Sequence, residues 1–149
     1  MNMTHIEKVD IKAKQISGLK IRTCNAGEMN PETQKIGALW GELIGTYAPP
    51  FPHYGVYHHY ESDFNGSYDL LAGVEGDCDG YTQSVTIQAG RYLKFSAKGE
   101  LHVAVMNCWK HIWAYFEDPS VDERRAYETD FEVYSSPTEV AVYVGVHYL

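Results

Sequence analysis

The sequence predicts an α+β fold in which two pseudo-symmetric repeats, each a β-hairpin, a helix and two strands, share antiparallel sheet with both helices on one side. Three observations predict it. The chain has 149 residues, enough for one domain with a core that is stable without staples. Its apolar pattern passes from alternation to helical spacing and back to alternation, twice in the same order. Segments about 70 residues apart also match, the kind of self-similarity that marks internal duplication. Ile16-Ser17-Gly18-Leu19-Lys20 aligns with Gln88-Ala89-Gly90-Arg91-Tyr92, Trp40 with Trp109, and Leu70-Leu71-Ala72-Gly73-Val74 with Val142-Tyr143-Val144-Gly145-Val146. A single domain over 1–149 is expected, with repeats at about 9–75 and 81–147. Each half leaves an apolar face that only the other half can cover. A ligand groove between the halves follows, because such junctions are where small molecules bind.

In chain order, residues 9–24 read as a β-hairpin or bent strand. Val9, Ile11 and Ala13 alternate with polar residues, Ser17-Gly18 is a turn signal, and 19–22 alternate again. A helix follows with Asn30 as cap, Pro31 at its first position, and Ile36, Leu39, Trp40, Leu43 and Ile44 as its stripe. Residues 54–61 and 68–75 read as strands paired across Asn65-Gly66. The polar run 76–80 is the expected boundary between repeats. Its DxCDG pattern lacks the further acidic positions of a calcium loop. The second repeat opens with a strand pair or bent strand over 84–97, turning at Ala89-Gly90. Its helix covers 103–117, with Val105, Trp109, Ile112, Trp113 and Phe116 on one stripe. A charged connector over 121–127, suited to a short helical turn, leads to closing strands at 131–134 and 140–146.

Composition narrows the function. The formal charge of −8 and the lack of a Lys/Arg cluster argue against direct nucleic-acid binding, which draws most of its affinity from basic patches. Arg124-Arg125 is flanked by Asp122, Glu123 and Glu128. Twelve Tyr and three Trp suit a cavity, where a ring buries its face and hydrogen-bonds at its edge. Three widely spaced cysteines with no CxxC read as reduced thiols, and the N-terminus carries charges where a signal peptide needs an apolar run. A cytoplasmic protein is expected, with no membrane span and no cofactor.

The order of elements, the AGRY-x-x-F segment at 89–95, the helix with Trp109 and Trp113, and the terminal pair DFEVY (130–134) and VYVGV (142–146) resemble the GyrI-like family. This is the effector-binding domain also found fused to AraC-type and MerR-type transcription regulators. The resemblance spans about 9–146. It implies a duplicated fold with a groove that takes lipophilic, often cationic compounds, including multidrug-type ligands. It also implies that the glutamate of the F-E-x-Y strand, here Glu132, is the acidic residue of that groove. No helix-turn-helix segment is present at either end, so a sensor module alone is expected.

The residues themselves carry a parallel argument. In a strand, Phe131 and Val133 face one way and Glu132 and Tyr134 the other. If the first pair packs under the helices, the second borders the groove. A carboxylate among rings has its pKa raised unless something positive is near. A bound cation supplies that charge, and ring faces add to the attraction. Candidate ligand contacts are therefore Glu132, Tyr134, Trp109, Trp113, Tyr143, Tyr57 and Tyr60, with Tyr57 and Tyr60 on opposite faces of their strand. His53, His58 and His59 read as rim or surface groups. Adjacent histidines on a strand point apart, so no metal site is expected there. No GxSxG or activated nucleophile is present. The partner expected is a lipophilic cation, with a homodimer or a regulatory protein as further partners. The alternatives are a protein-interaction role of the gyrase-inhibitor kind, and a hydrolase using Glu132 as general base.

Overall fold

The computed structural model describes residues 5–63, 65–76 and 80–148. Residues 77–79 of the predicted boundary loop lie outside them. Eight strands form one sheet: β1 (His5–Ile11), β2 (Lys14–Cys24), β3 (His53–His58), β4 (Ser67–Glu75), β5 (Gln83–Ile87), β6 (Gly90–Lys98), β7 (Glu123–Ser136) and β8 (Glu139–Tyr148). Three helices accompany them: α1 (Asn25–Glu28), α2 (Ile36–Glu42), extended by a π-helical turn Leu43–Tyr47, and α3 (Leu101–Glu117). The spatial order is β1-β6-β8-β7-β3-β4-β2-β5, and the neighbouring strands run antiparallel. This order reads the same from either end once β1 is equated with β5, β2 with β6, β3 with β7 and β4 with β8. The pseudo-dyad lies between β3 and β7.

That symmetry corrects the expectation of a hairpin at the start of each repeat. β1 pairs with β6 of the second half, and β5 pairs with β2 of the first. The opening strand of each repeat thus crosses to the far half and forms its edge. Ser17-Gly18 is no turn; it sits in the middle of β2, opposite Gly73 of β4. A Cβ on Gly18 would lie 2.0 Å from the Ala72 carbonyl oxygen, and one on Gly73 would lie 1.9 Å from that of Ser17. The glycine pair is therefore a point of backbone contact, one of the standing reasons for glycine inside a strand.

Helices α2 and α3 cover one face of the sheet. Ala104, Cys108 and Ile112 of α3 pack on Leu93, Phe95, Val142 and Val144, all buried. Leu39 and Leu43 pack on Tyr68, Leu70 and Ala72. Each of the Leu, Ile, Val and Phe side chains among them contributes roughly 1.5–3 kcal/mol when fully buried. On the opposite face, Val9 and Ile11 of β1 and Val85 and Ile87 of β5 meet Tyr54, Val56 and Phe131 from the centre, so the two edges close over it.

Two helix-related expectations shift. The helix expected beside Asn30-Pro31 is α2 and begins at Ile36, because the Asn30 side chain accepts from Glu32 N in a local turn. The Glu28 carboxylate supplies the cap instead, accepting from Lys35 N and Ile36 N. The connector predicted over 121–127 is the start of β7, which slips register between Arg125 and Asp130 where it pairs with β8.

Candidate functional site

Gly55 of β3 stands opposite Glu132 of β7 at the pseudo-dyad. Alternation places Gly55, Tyr57, Glu132 and Tyr134 on the helix-covered face. This reverses the expected orientation: Phe131 and Val133 join the cluster on the far face, and Glu132 lies beneath the helices. Alternation decides which residues share a face, not which face the helices take.

The Glu132 side chain is held by three neutral donors. Trp109 Nε1 donates to Oε2 at 2.8 Å, Tyr57 OH to Oε2 at 2.9 Å, and Tyr134 OH to Oε1 at 2.9 Å. The residue is 3% exposed. Among the described residues no Lys or Arg forms an ion pair with it. Burial pushes its carboxyl above the ordinary value, against the pull of the three donors. Burial and the Glu132 charge also push the Tyr57 and Tyr134 hydroxyls well above the usual phenol range, so both remain donors. Gly55 leaves the space that makes this possible. A Cβ there would lie 2.9 Å from the Trp40 ring and 3.0 Å from Glu132 Oε1.

Above this cluster, between α2 and α3, is a cavity of about 780 Å³. Its floor is Tyr57, Glu132 and Tyr134. Trp40 and Ile44 form one wall, Val105, Met106 and Trp109 the other, and Phe51 and His53 close one end. The aromatic rings brace one another: Trp40 meets Tyr134 edge-on at 5.2 Å, and Tyr57 meets Trp109 edge-on at 5.4 Å. A volume of this size suits a drug-sized molecule, and a mostly apolar lining with few polar groups suits a small-molecule site.

Four of the residues singled out from sequence, Glu132, Tyr134, Trp109 and Tyr57, come together here. Trp113 lines a second cavity of about 400 Å³ with Phe116, Arg125 and Tyr127, its ring 6.2 Å from that of Trp109. Tyr60 donates to Asp130, which is also paired with Arg125 at 2.7 Å. Tyr143 lies on the far face, stacked on Phe131 at 4.4 Å. Trp40, Phe51, Val105 and Met106 were not singled out as ligand contacts. For Trp40 the signal was its adjacency to Leu39: neighbours on a helix point about 100° apart, and Leu39 takes the sheet.

The histidines also depart from expectation. β3 ends at His58, and His59 adopts a left-handed backbone (φ 51°), which swings its ring back towards its neighbour. The two Nδ1 atoms are 2.9 Å apart. Burial first, then His59, pushes the His58 imidazole down to about 4.

Comparisons agree with this architecture. A family described as Cass2, integron-associated effector-binding protein, matches residues 7–146. An integron cassette protein from the mobile metagenome of Vibrio cholerae is similar at 34% identity over 98% of this chain and 99% of that one, with a TM-score of 0.87. SAV2435 bound to tetraphenylphosphonium is similar in fold at 16% identity, covering 96% and 94%, with a TM-score of 0.72. A putative transcription regulation protein from Staphylococcus aureus MU50 is similar in fold at 18% identity, covering 95% and 97%, with a TM-score of 0.73. No curated protein matches the sequence. No described helix is long and apolar enough to cross a membrane.

Proposed function

Because the chain belongs to the family of integron-associated effector-binding proteins, we propose that it binds a lipophilic organic cation in the cavity between α2 and α3. The cation's charge lies against Glu132 and its apolar groups lie against Trp40, Trp109, Phe51 and Met106. One observation carries this reading: a buried carboxylate at the floor of an aromatic cavity, held by neutral donors alone. An isolated buried charge is unfavourable, and a ligand cation supplies what the protein leaves out. Ring faces add about 0.5–2 kcal/mol each where a cation lies over them. The phosphonium-bound neighbour of like fold supports the same ligand class.

The test is a titration followed by tryptophan fluorescence, since Trp40 and Trp109 both line the cavity. Tetraphenylphosphonium is compared with triphenylphosphine oxide, a neutral compound of related shape. Saturable quenching with at least tenfold tighter binding of the cation is expected. Equal affinities, or no binding by folded protein, would remove the carboxylate from the reading. Product analysis of the same mixtures separates binding from hydrolysis, and unchanged ligand is the expected result.

A further inference from the structure

On the sheet face away from the cavity, the geometry points to a metal site formed by His58, His59 and Asp69, taking a divalent first-row transition-metal ion. His58 and Asp69 are paired across β3 and β4, and the left-handed backbone at His59 brings its ring over both. His59 Nδ1 lies 2.9 Å from His58 Nδ1 and 3.0 Å from Asp69 Oδ2. One ligand atom from each of the three residues falls within 4.8 Å of the others.

Proton counting shows why this is more than a hydrogen-bonded cluster. A ring nitrogen carries at most one hydrogen, directed in the ring plane. His59 Nδ1 can give that hydrogen to Asp69 Oδ2 or receive one from His58 Nδ1, so one well-aligned bond leaves the other contact without one. A cation satisfies all three atoms at once.

The spacing around His59 Nδ1 is compatible with six-coordination. With metal–ligand bonds of about 2.1 Å, neighbouring corners of an octahedron are about 3.0 Å apart, whereas corners of a tetrahedron are about 3.4 Å apart. The observed 2.9 and 3.0 Å fit the octahedron. In such a geometry two imidazoles and one carboxylate leave three positions for water or another ligand. Arg22 holds the Asp69 and His59 side of the set in place. Arg22 Nη1 donates to Asp69 Oδ1 at 3.0 Å and to the His59 carbonyl at 3.1 Å, leaving Oδ2 directed at the rings. Such outer contacts orient metal ligands.

Isothermal titration of the tag-free protein with Ni²⁺ tests the site. The wild type should bind one ion per chain. His59→Ala and His58→Ala should weaken binding at least tenfold, while His102→Ala, a change at the cavity lining, should leave it unaltered. His59 is exposed, so His59→Ala keeps the test sound if His58→Ala fails to fold; circular dichroism melts check both. Co²⁺ should give the weak visible bands of six coordination, not the intense ones of four. No stoichiometric binding by the wild type, or equal binding by His59→Ala, would overturn the assignment. Tetraphenylphosphonium affinity should not change in His59→Ala, which separates this site from the cavity.

Discussion

Replacing Glu132 with Gln removes the charge while nearly preserving shape, and two opposite effects follow from the geometry. The first is on binding. A cation centred about 5 Å from the carboxylate interacts with it by roughly 3 kcal/mol at an effective dielectric of about 20. The Gln carbonyl retains a dipole and can still accept from Tyr57 and Trp109, so only part of this is lost. A tenfold to hundredfold weaker Kd for tetraphenylphosphonium is expected, about 1.4–2.8 kcal/mol. The neutral phosphine oxide should change less than threefold. The second effect is on stability. The folded-state pKa of Glu132 lies above its ordinary 4.5. Between the unfolded and folded values the native state holds the extra proton, so wild-type stability falls as pH rises through that window. Every tenfold gain in proton affinity on folding corresponds to about 1.4 kcal/mol. Glu132→Gln carries no such dependence. Urea melts should show the two proteins closest in stability below pH 4.5, and the variant gaining on the wild type above it, to a plateau. If the cation and the neutral compound weaken equally, or the stability difference is flat with pH, Glu132 is not a buried charge that a cation completes.

Gly55→Ala places a methyl group against the Trp40 ring and Glu132 Oε1. It should lower stability by about 1–3 kcal/mol, as overpacking does, and weaken tetraphenylphosphonium binding; unchanged affinity would show that the Trp40 position is unimportant. Gly18→Ala meets the Ala72 carbonyl, a backbone atom that cannot give way without moving β4. A loss above about 4 kcal/mol, or failure to fold, is expected, and a melting temperature near wild type would refute the close crossing of β2 and β4. Arg125→Met leaves the fully buried Asp130 without its partner. A loss of about 3–5 kcal/mol is expected, recovered in part by adding Asp130→Asn, with thermal melts as the measure. Binding of tetraphenylphosphonium should tighten as pH rises through the folded pKa of Glu132, because the proton and the cation compete for one carboxylate; a pH-independent Kd would count against Glu132 as the counter-charge.

How much of this was legible depended on whether the information was local. The alternation at 131–134 is local, and it put Glu132 and Tyr134 on a shared face. The duplicated order of elements led to the groove between halves. Strand pairing is not local. The signals at Ser17-Gly18 and Ala89-Gly90 suggest hairpins, but β1 and β5 exchange halves because each completes the far edge of the shared sheet. Helical spacing named Trp40 as part of a stripe without distinguishing a residue pressed on the sheet from one at a cavity wall. Alternation likewise separated His58 from His59 only on the premise that the strand continued. It ends at His58, and the left-handed turn that follows has no glycine to announce it. Tyr143 alternates like a groove residue, yet β8 presents it to the face where Phe131 lies.

Two carboxylates on β7 make the strongest internal comparison. Asp130 and Glu132 are two residues apart, on the same face and both buried. Asp130 is matched by Arg125 at 2.7 Å and by the Gly145 amide at 2.9 Å. Among the described residues, Glu132 receives three hydrogen bonds and no cation. The fold therefore has a guanidinium within reach of this strand and places it on one acid only; the same Arg125 lies over the Trp109 ring at 5.8 Å without pairing with Glu132. Hydrogen bonds from Tyr and Trp orient a carboxylate and moderate its burial, but they leave its charge uncompensated. A second arginine paired with Glu132 would close the site to positively charged compounds. Neutral donors hold Glu132 without pairing its charge, the arrangement that the proposed cation site requires.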